Sequence, residues 1–172
     1  MKMPSPSAMT IRRCAAIATL AVISAHGLAG APPDVAVVVR RDTPVDDLSF
    51  EETRKLFMGD RQYWSSNLRV TLLIRAPAAR ERDVVLRIIY GMSEARFRQY
   101  WISKIFRLEA SSGPKIVYST DMATELVSAI PGAVAFVYSA TVPKGLKVLK
   151  IDGLSPGEKG YRLRQPPAVT SL

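Results

Sequence analysis

The chain has 172 residues, of which 48% are hydrophobic and 23% charged, and its formal net charge is +9. This is ordinary globular composition, and the length is that of one domain. The single cysteine, Cys14, and the single histidine, His26, both lie close to the N-terminus. Removal of an N-terminal segment would therefore exclude thiolate and imidazole chemistry from the rest of the chain.

The N-terminus is basic, then apolar, then rich in small residues. Three basic residues precede the uncharged run of residues 14–25, CAAIATLAVISA, and small residues follow it. This pattern predicts a secretory signal peptide over residues 1–29, cleaved after Gly27 or Ala29. The run is too short for a comfortable transmembrane helix, and an uncleaved membrane anchor is the alternative.

Cleavage would remove the reactive side chains that many enzymes use. Cys14 leaves with the signal, and His26 lies in it or beside it. Cys/His pairs, Ser-His-Asp triads and thiolate or imidazole metal sites are then excluded. Carboxylates alone can bind metals, but no clustered D-x-D spacing is present. We therefore expect no enzyme activity, no metal and no cofactor.

The exported chain stays basic. Three of the 24 Lys and Arg residues leave with the signal and none of the 15 Asp and Glu residues do, so the remaining net charge is +6. A periplasmic or secreted location argues against nucleic acid as a partner, and cleavage argues against stable membrane insertion. The charge favours a small anionic ligand, an anionic envelope surface or an acidic protein. Solvated charge that only maintains solubility is the alternative.

From residue 35 onward the hydrophobic pattern predicts alternating strands and helices. Residues 35–39, VAVVV, predict a strand that is buried on both faces. Residues 48–57 contain an S-x-x-E capping box that begins at Ser49, then an apolar helical face, and the helix is expected to stop at Gly59. Residues 68–74, LRVTLLI, predict a second buried strand.

The second half continues the alternation. Helices are predicted up to Gly91, over residues 93–106 and over residues 119–130, and strands over residues 115–118, 133–138 and 146–151. The last strand alternates apolar and basic residues, which is typical of a sheet edge. Residues beyond Gly153 are rich in proline and glycine. They predict a weakly ordered tail, residues 154–172, after a domain of residues 30–153.

This order of elements indicates an α/β three-layer sandwich, with a mostly parallel sheet between two layers of helices. The helix of residues 50–57 is then expected to be a crossover between two buried parallel strands.

In such sheets, ligands bind beyond the carboxyl ends of the strands, near helix N-termini. Two strand-to-helix connections qualify, residues 75–83 and residues 119–121. The first supplies the guanidinium groups of Arg75, Arg80 and Arg82, and the second supplies hydroxyl groups. We predict Arg75, Arg80, Ser119 and Thr120 as ligand-binding residues for a small oxyanion. The alternative is a pair of self-capped helix starts, because Glu81, Asp83 and Asp121 lie in the same first turns.

Five short patterns carry a family resemblance. They are Leu56-Phe57-Met58-Gly59, Trp64, Arg75, Tyr100-Trp101 and Pro131-Gly132-Ala133-Val134-Ala135-Phe136-Val137. Their order and spacing over residues 35–138 resemble the phosphate-binding proteins of ABC transporters. More closely, the chain is similar to the short exported phosphate-ABC-transporter-substrate-binding-like proteins.

The resemblance implies one lobe of a type II periplasmic-binding-protein-like fold, exported and without enzyme activity. In the family's phosphate-binding members, an arginine after the second strand is followed by a Ser-Gly-Thr loop that holds phosphate. Arg75 matches that arginine, but the following residues 76–79 read APAA and carry no hydroxyl donors. Losing two such bonds to a charged ligand costs about 1.5–3 kcal/mol each. Large members close two lobes over the ligand, whereas this chain has room for one.

Two functions remain open at this point. The first is an exported binding protein for phosphate or another small oxyanion, which serves transport or sensing with an envelope or transporter protein as its partner. The second is a ligand-free interaction module that uses the same scaffold for a membrane or envelope partner. The second function predicts an exposed apolar or aromatic patch near Trp64 or Trp101. An enzyme would need carboxylate or Ser-Lys chemistry, and no spacing supports that.

Overall fold

The computed structural model describes residues 33–65 and 67–164, all within the compact unit Ala31–Leu172. The predicted signal peptide lies outside the described residues, as do the last eight residues of the chain. The strands are β1 Val35–Arg40, β2 Asp47–Leu48, β3 Tyr63–Ser65, β4 Leu68–Arg69, β5 Thr71–Arg75, β6 Lys115–Val117, β7 Ala133–Tyr138, β8 Leu146–Val148 and β9 Lys150–Ile151. The helices are α1 Phe50–Phe57, α2 Arg80–Val85, α3 Glu94–Phe106 and α4 Thr120–Ala129. A π-helical turn, Leu86–Tyr90, continues α2, and a 3-10 turn, Ser139–Thr141, follows β7.

The central sheet has five strands in the order β6-β5-β7-β1-β8. β5 pairs in parallel with both β6 and β7, whereas β1 is antiparallel to both β7 and β8. Four of these five strands therefore point the same way, and only β1 points the other way. The predicted α/β fold with a mostly parallel sheet is confirmed.

One prediction about this sheet is wrong. α1 does not cross between parallel strands, because β1 runs opposite to β5 and β7 lies between them. The apolar sequence of β1 indicates a strand with both faces buried, but a central strand is buried on both faces whether it runs parallel or antiparallel to its neighbours. Direction is decided by the partners of β1, which lie about a hundred residues away in the chain.

Alternate residues of the strands face two separate hydrophobic clusters. Val37 and Val39 of β1 pack on one side with Phe57 and Trp101, in the cluster to which α1, α2 and α3 contribute. Neighbouring strand residues pack on the other side against α4, in a cluster that includes Ala36, Val38, Ala123 and Val127. Helices therefore cover both faces of the sheet, which confirms the three-layer sandwich.

The segment from α1 to β3 is fixed by polar contacts that its sequence predicts in part. The backbone N–H of Ser49 donates to Glu52 Oε2 at 2.8 Å, and the Glu52 N–H donates to Ser49 Oγ at 3.2 Å, which completes the capping box. Gly59 ends the helix at φ +74°, and a Cβ on it would lie 2.6 Å from the Trp101 ring. The buried Trp64 donates its indole N–H to the carbonyl of Gly132 at 2.9 Å. The aromatic residue after the helix thus ties this segment to the start of β7.

The first part of the predicted tail is packed on the domain. Tyr161 and Leu163 are buried, and the Tyr161 hydroxyl donates to the carbonyl of Val35 at 2.8 Å. Arg164 pairs with Asp34, which also accepts from the N–H of Gly157 at 2.7 Å. Residues 154–164 are therefore part of the folded unit, in contrast to the expectation for residues 154–172. Their partners lie at the start of β1, so no local pattern predicts the contact.

Candidate functional site

The sheet has two edges of opposite chemical character. We call the edge where β5, β6 and β7 end the carboxyl edge, and the edge where these strands begin the amino edge. At the carboxyl edge, the N–H of Ala76 donates to the carbonyl of Val117 at 2.8 Å. The connection after Arg75 therefore runs beside the connection that holds Ser119 and Thr120, as the candidate site requires.

Arg75 ends β5 with a largely buried side chain. Its Nε lies 2.6 Å from Glu81 Oε1, and the two side chains are only 12% and 6% exposed. Its Nη1 is buried and has no hydrogen-bond partner within the described residues. Arg75 is thus held by an internal carboxylate on one side and keeps an unsatisfied donor on the other. Glu81 lies in the first turn of α2, but among the described residues no side chain caps this helix, whose N-cap residue is Ala79. The local carboxylate therefore binds an arginine instead of capping the helix start.

Arg82 is an internal cross-link and not a ligand donor. It makes two hydrogen bonds of 2.9 Å to Glu94 at the start of α3, and its Nη1 donates to the carbonyl of Arg75 at 2.5 Å. Its guanidinium also lies 4.9 Å from the centre of the Phe97 ring. The Arg82 hydrogen bond holds the pKa of the Glu94 carboxyl below its usual range. The expectation that Arg82 would serve an anion is wrong, because its side chain is buried and each of its three nitrogens already donates to a protein oxygen.

Arg80 and its surroundings remain accessible. Its side chain is exposed, and no ion pair engages it within the part of the chain that the structure describes. Burial raises the pKa of Tyr138 at the end of β7, the Glu81 charge adds to the rise, and the Arg80 charge opposes it. These interactions place the phenol among the charges of the site. Ala78 adopts φ +76° in the loop between Arg75 and Arg80. A left-handed alanine is strained, and such strain clusters at functional sites.

Ser119 and Thr120 form the start of α4. The Ser119 oxygen accepts from the N–H of Met122 at 3.0 Å, which caps the helix. The hydroxyl proton of Ser119 is still able to donate, because capping uses only the oxygen as an acceptor. Ser119 is exposed and Thr120 is half-buried. The structure thus brings the four predicted residues to one edge but gives Arg75 and Ser119 structural partners as well.

Two further residues at the carboxyl edge, Tyr138 and Glu94, are only weakly predicted by the sequence. Tyr138 ends the third parallel strand, a position at which side chains of a site are expected. Glu94 follows Arg82 by twelve residues and has no local relation to it, so its pairing depends on the packing of α3.

The amino edge carries a cavity of about 110 Å³. Its charged lining residues are Arg61, Arg69 and Lys115, joined by Gln62, Ser111 and Ser112, and no carboxylate lines it. The inner wall includes Trp101 of α3 and Gly113. No local pattern in the sequence predicts a site here, because the lining comes from four separate segments of the chain.

Within the described residues, no helix is long and apolar enough to span a membrane. The same residues hold no group of three or more Asp, Glu, His or Cys side chains placed to bind a metal ion.

The chain shares its fold with solved phosphate-binding proteins. No protein-family model matches it, and no curated protein matches it. An ABC-type phosphate transport receptor from Vibrio cholerae superposes with a TM-score of 0.64 at 18% identity, over 80% of this chain and 56% of the receptor. PstS from Borrelia burgdorferi gives 0.62 at 13% identity, over 78% and 55%. A phosphate-binding protein from Stenotrophomonas maltophilia gives 0.53 at 16% identity, over 73% and 41%.

These similarities confirm the resemblance at the level of the fold. The domain has a periplasmic-binding-protein-like α/β fold, and it spans about half the length of the solved structures that it matches. At these identities the likeness concerns the fold alone, so the chemistry of the site depends on the residues of this chain.

Proposed function

We propose that this chain is an exported, non-enzymatic solute-binding domain that binds phosphate or another small oxyanion at the carboxyl edge. The observation that carries the proposal is the buried, unpartnered Nη1 of Arg75. An unsatisfied buried donor costs about 1–3 kcal/mol, and more when it is charged. A bound oxyanion would accept this hydrogen bond and remove the cost.

The neighbouring groups complete the proposed site. Arg80 lies five residues after Arg75, is exposed, and supplies a second positive charge. The hydroxyls of Ser119 and Thr120 lie on the adjacent connection and can donate hydrogen bonds to an anion. The shared fold with solved phosphate-binding proteins favours phosphate as the first ligand to test.

Glu81 is the main internal competitor of the ligand. Its carboxylate occupies Arg75 Nε at 2.6 Å, so an incoming anion meets a guanidinium whose charge is largely compensated. We therefore expect the Glu81→Gln variant to bind phosphate more tightly than the wild type. The amide keeps the shape of the side chain and removes the competing charge.

A thermal shift titration tests the proposal. A ligand that binds only the folded state stabilises it by about 2.7 kcal/mol at 100 times its Kd. We expect phosphate to raise the Tm of the wild type, and we expect Arg75→Gln to lose this rise. Arg69→Gln is the matched control, because it removes an arginine at the opposite edge and should keep the rise.

Absence of any rise in Tm with phosphate, sulfate or carboxylates at millimolar concentration would overturn the proposal. The proposed export is tested separately by cell fractionation and by N-terminal mass analysis of the exported protein. A mature N-terminus at residue 28 or 30 is the expected result.

A specific observation favours the second candidate function, an interaction module in the cell envelope. Trp64 and Trp101 are both buried, but the turn of α3 just after Trp101 exposes Ile102, Ile105 and Phe106. This is an apolar patch of the kind that an interaction surface requires.

A further inference from the structure

The last two turns of α3 present apolar side chains to solvent. Ile102, Ile105 and Phe106 share one helical face by their i, i+3, i+4 spacing. Phe106 is 88% exposed, and Leu108 just beyond the helix is 90% exposed. Large apolar side chains that are exposed together often mark an interaction surface.

Leu108 has an unusual backbone conformation for its residue type. It adopts φ +59°, the left-handed region that usually holds glycine at the end of a helix. This conformation closes α3, since the N–H of Leu108 donates to the carbonyl of Ile105 and the N–H of Glu109 donates to that of Lys104, both at 3.0 Å. The capping position thus carries a large apolar side chain into solvent.

The apolar turns adjoin the cationic cavity of the amino edge. Trp101 and Gly113 line the cavity, and Ile105 Cδ1 lies 3.6 Å from the position that a Cβ on Gly113 would take. Ile116 extends the apolar surface, because it is exposed and points away from the α4 side, where Val117 packs. We call the combined surface of Ile102, Ile105, Phe106, Leu108, Ile116 and the cavity the amino-edge surface.

The cations of this surface bind neutral groups rather than close carboxylates: Arg69 donates to Ser111 Oγ, and Arg61 donates to the carbonyls of Tyr63 and Trp64. Within the described residues, no carboxylate pairs with Arg69 or Lys115, and Arg61 reaches Glu52 only at 3.9 Å. The nearby carboxylates are engaged elsewhere, since Asp60 pairs with Lys104, and Glu109 with Arg107. The surface therefore combines available positive charge with an exposed apolar turn.

We propose that the amino-edge surface docks onto an anionic lipid bilayer. Phe106 and Leu108 enter the interfacial region of the bilayer, and the cavity of Arg61, Arg69 and Lys115 receives the phosphate of an anionic lipid headgroup. Two features bind a protein to an anionic membrane surface: apolar side chains that enter the interface and basic side chains that attract the anionic headgroups. The cavity and the exposed turn lie side by side, as the headgroup and acyl chains of one lipid do. This inference deepens the second candidate function and does not depend on oxyanion binding at the carboxyl edge.

Vesicle co-sedimentation in phosphate-free, low-salt buffer tests the proposal. We expect the purified protein to bind vesicles of phosphatidylcholine with phosphatidylglycerol but not vesicles of phosphatidylcholine alone. The double variant Phe106→Ser/Leu108→Ser should lower the partition coefficient about tenfold or more, because two large apolar side chains no longer leave water. Tyr118→Ser is the matched control, since it removes an exposed aromatic at the opposite edge and should bind as the wild type does.

A second series tests the charges. Arg69→Gln and Lys115→Gln should each lower the partition coefficient about fivefold, the usual effect of one basic residue near an anionic surface. Lys159→Gln removes a like charge from the C-terminal segment and should leave binding unchanged. Since all the substituted side chains are exposed, we expect circular dichroism melts of the variants to match the wild type.

The proposal would be overturned if the wild type did not bind anionic vesicles, or if the Phe106→Ser/Leu108→Ser variant bound them equally well. It would also be overturned if the protein bound no vesicles but sedimented as a dimer that this variant abolishes, because the surface would then join two copies of the chain. The vesicle assay measures the amino-edge surface, and the phosphate thermal shift measures the carboxyl edge. Each proposal can therefore fail without the other.

Discussion

The two edges of the sheet use arginine in opposite ways. At the carboxyl edge, Arg75 and Arg82 are buried against Glu81 and Glu94. At the amino edge, Arg69 and its cationic neighbours surround an open cavity that no carboxylate lines. Positive charge alone therefore does not mark a binding site, since what matters is whether the charge is already satisfied.

The difference assigns separate tasks to the two edges. Buried pairs at the carboxyl edge join the loop after β5 to α2 and α3, so these charges position the candidate oxyanion site and hold the layers together. Within the described residues, the cations of the amino edge have no close carboxylate, since Arg61 reaches Glu52 only at 3.9 Å, so their charge remains available to a partner. Substitutions at the two edges should consequently affect different measurements.

The largest expected effect comes from removing Arg82. Arg82→Met leaves the Glu94 carboxylate and the Arg75 carbonyl without their donor, and breaking a buried pair of this kind costs about 3–5 kcal/mol. Arg69→Met removes an exposed arginine at the other edge and should change stability by less than about 0.5 kcal/mol. Urea denaturation of the two variants measures the contrast. Equal loss of stability in both would remove the distinction between the edges.

The features of this fold that the sequence predicts are those with a local signal. The capping box at Ser49, the glycine stop at Gly59 and the alternation of strands and helices all depend on neighbouring residues, and each appears in the structure. The sequence also places Glu81 in the first turn of α2, where it suggests a self-capped helix start, but the pairing of Glu81 with Arg75 is visible only in the structure.

The rest depends on contacts between distant segments. Arg164 binds Asp34, which lies 130 residues earlier in the chain. The direction of β1 likewise depends on its pairing with β7, which comes late in the chain. Arg82 differs from Arg80 only in the side of α2 on which it lies: Arg82 is buried and Arg80 is exposed. Six helical residues carry too little periodicity to separate the two positions.

A second prediction concerns the close backbone contact between Gly132 and Arg69 at the amino edge, which involves no charge. Gly132 adopts φ +77°, and a Cβ on it would overlap the backbone carbonyl of Arg69. Its own carbonyl accepts from Trp64 and from the N–H of Thr71, so it cannot shift without breaking these bonds. We expect Gly132→Ala to lower the free energy of unfolding by about 2–4 kcal/mol, from left-handed strain and overpacking together.

Gly91→Ala is the matched control for this glycine. Gly91 also has a positive φ, +63°, but a Cβ on it would meet nothing within 4 Å. We expect a loss of only about 1–2 kcal/mol, from the conformational strain alone. Equal losses for the two glycine variants would mean that the contact between Gly132 and Arg69 does not restrain the amino edge.

The smallest expected effect is a pH dependence that belongs to the carboxyl edge. The hydrogen bond from Arg82 lowers the pKa of Glu94 in the folded protein from its ordinary value of 4.5. Below that value the unfolded chain takes up a proton that the folded protein still resists, so stability falls as the pH falls. Above it both states are ionised, and the contribution of the pair is fully present.

The difference in stability between the wild type and Glu94→Gln isolates this contribution, because the other carboxylates affect both proteins alike. We expect the difference to be constant near pH 7, to shrink as the pH drops below about 4.5 and to vanish once Glu94 is protonated in the folded state. Arg69→Gln, at the edge whose cavity no carboxylate lines, should follow the wild-type profile at every pH. Urea denaturation between pH 7 and pH 3 measures all three proteins. A difference for Glu94→Gln that grows toward low pH would show that the pair with Arg82 does not stabilise the fold.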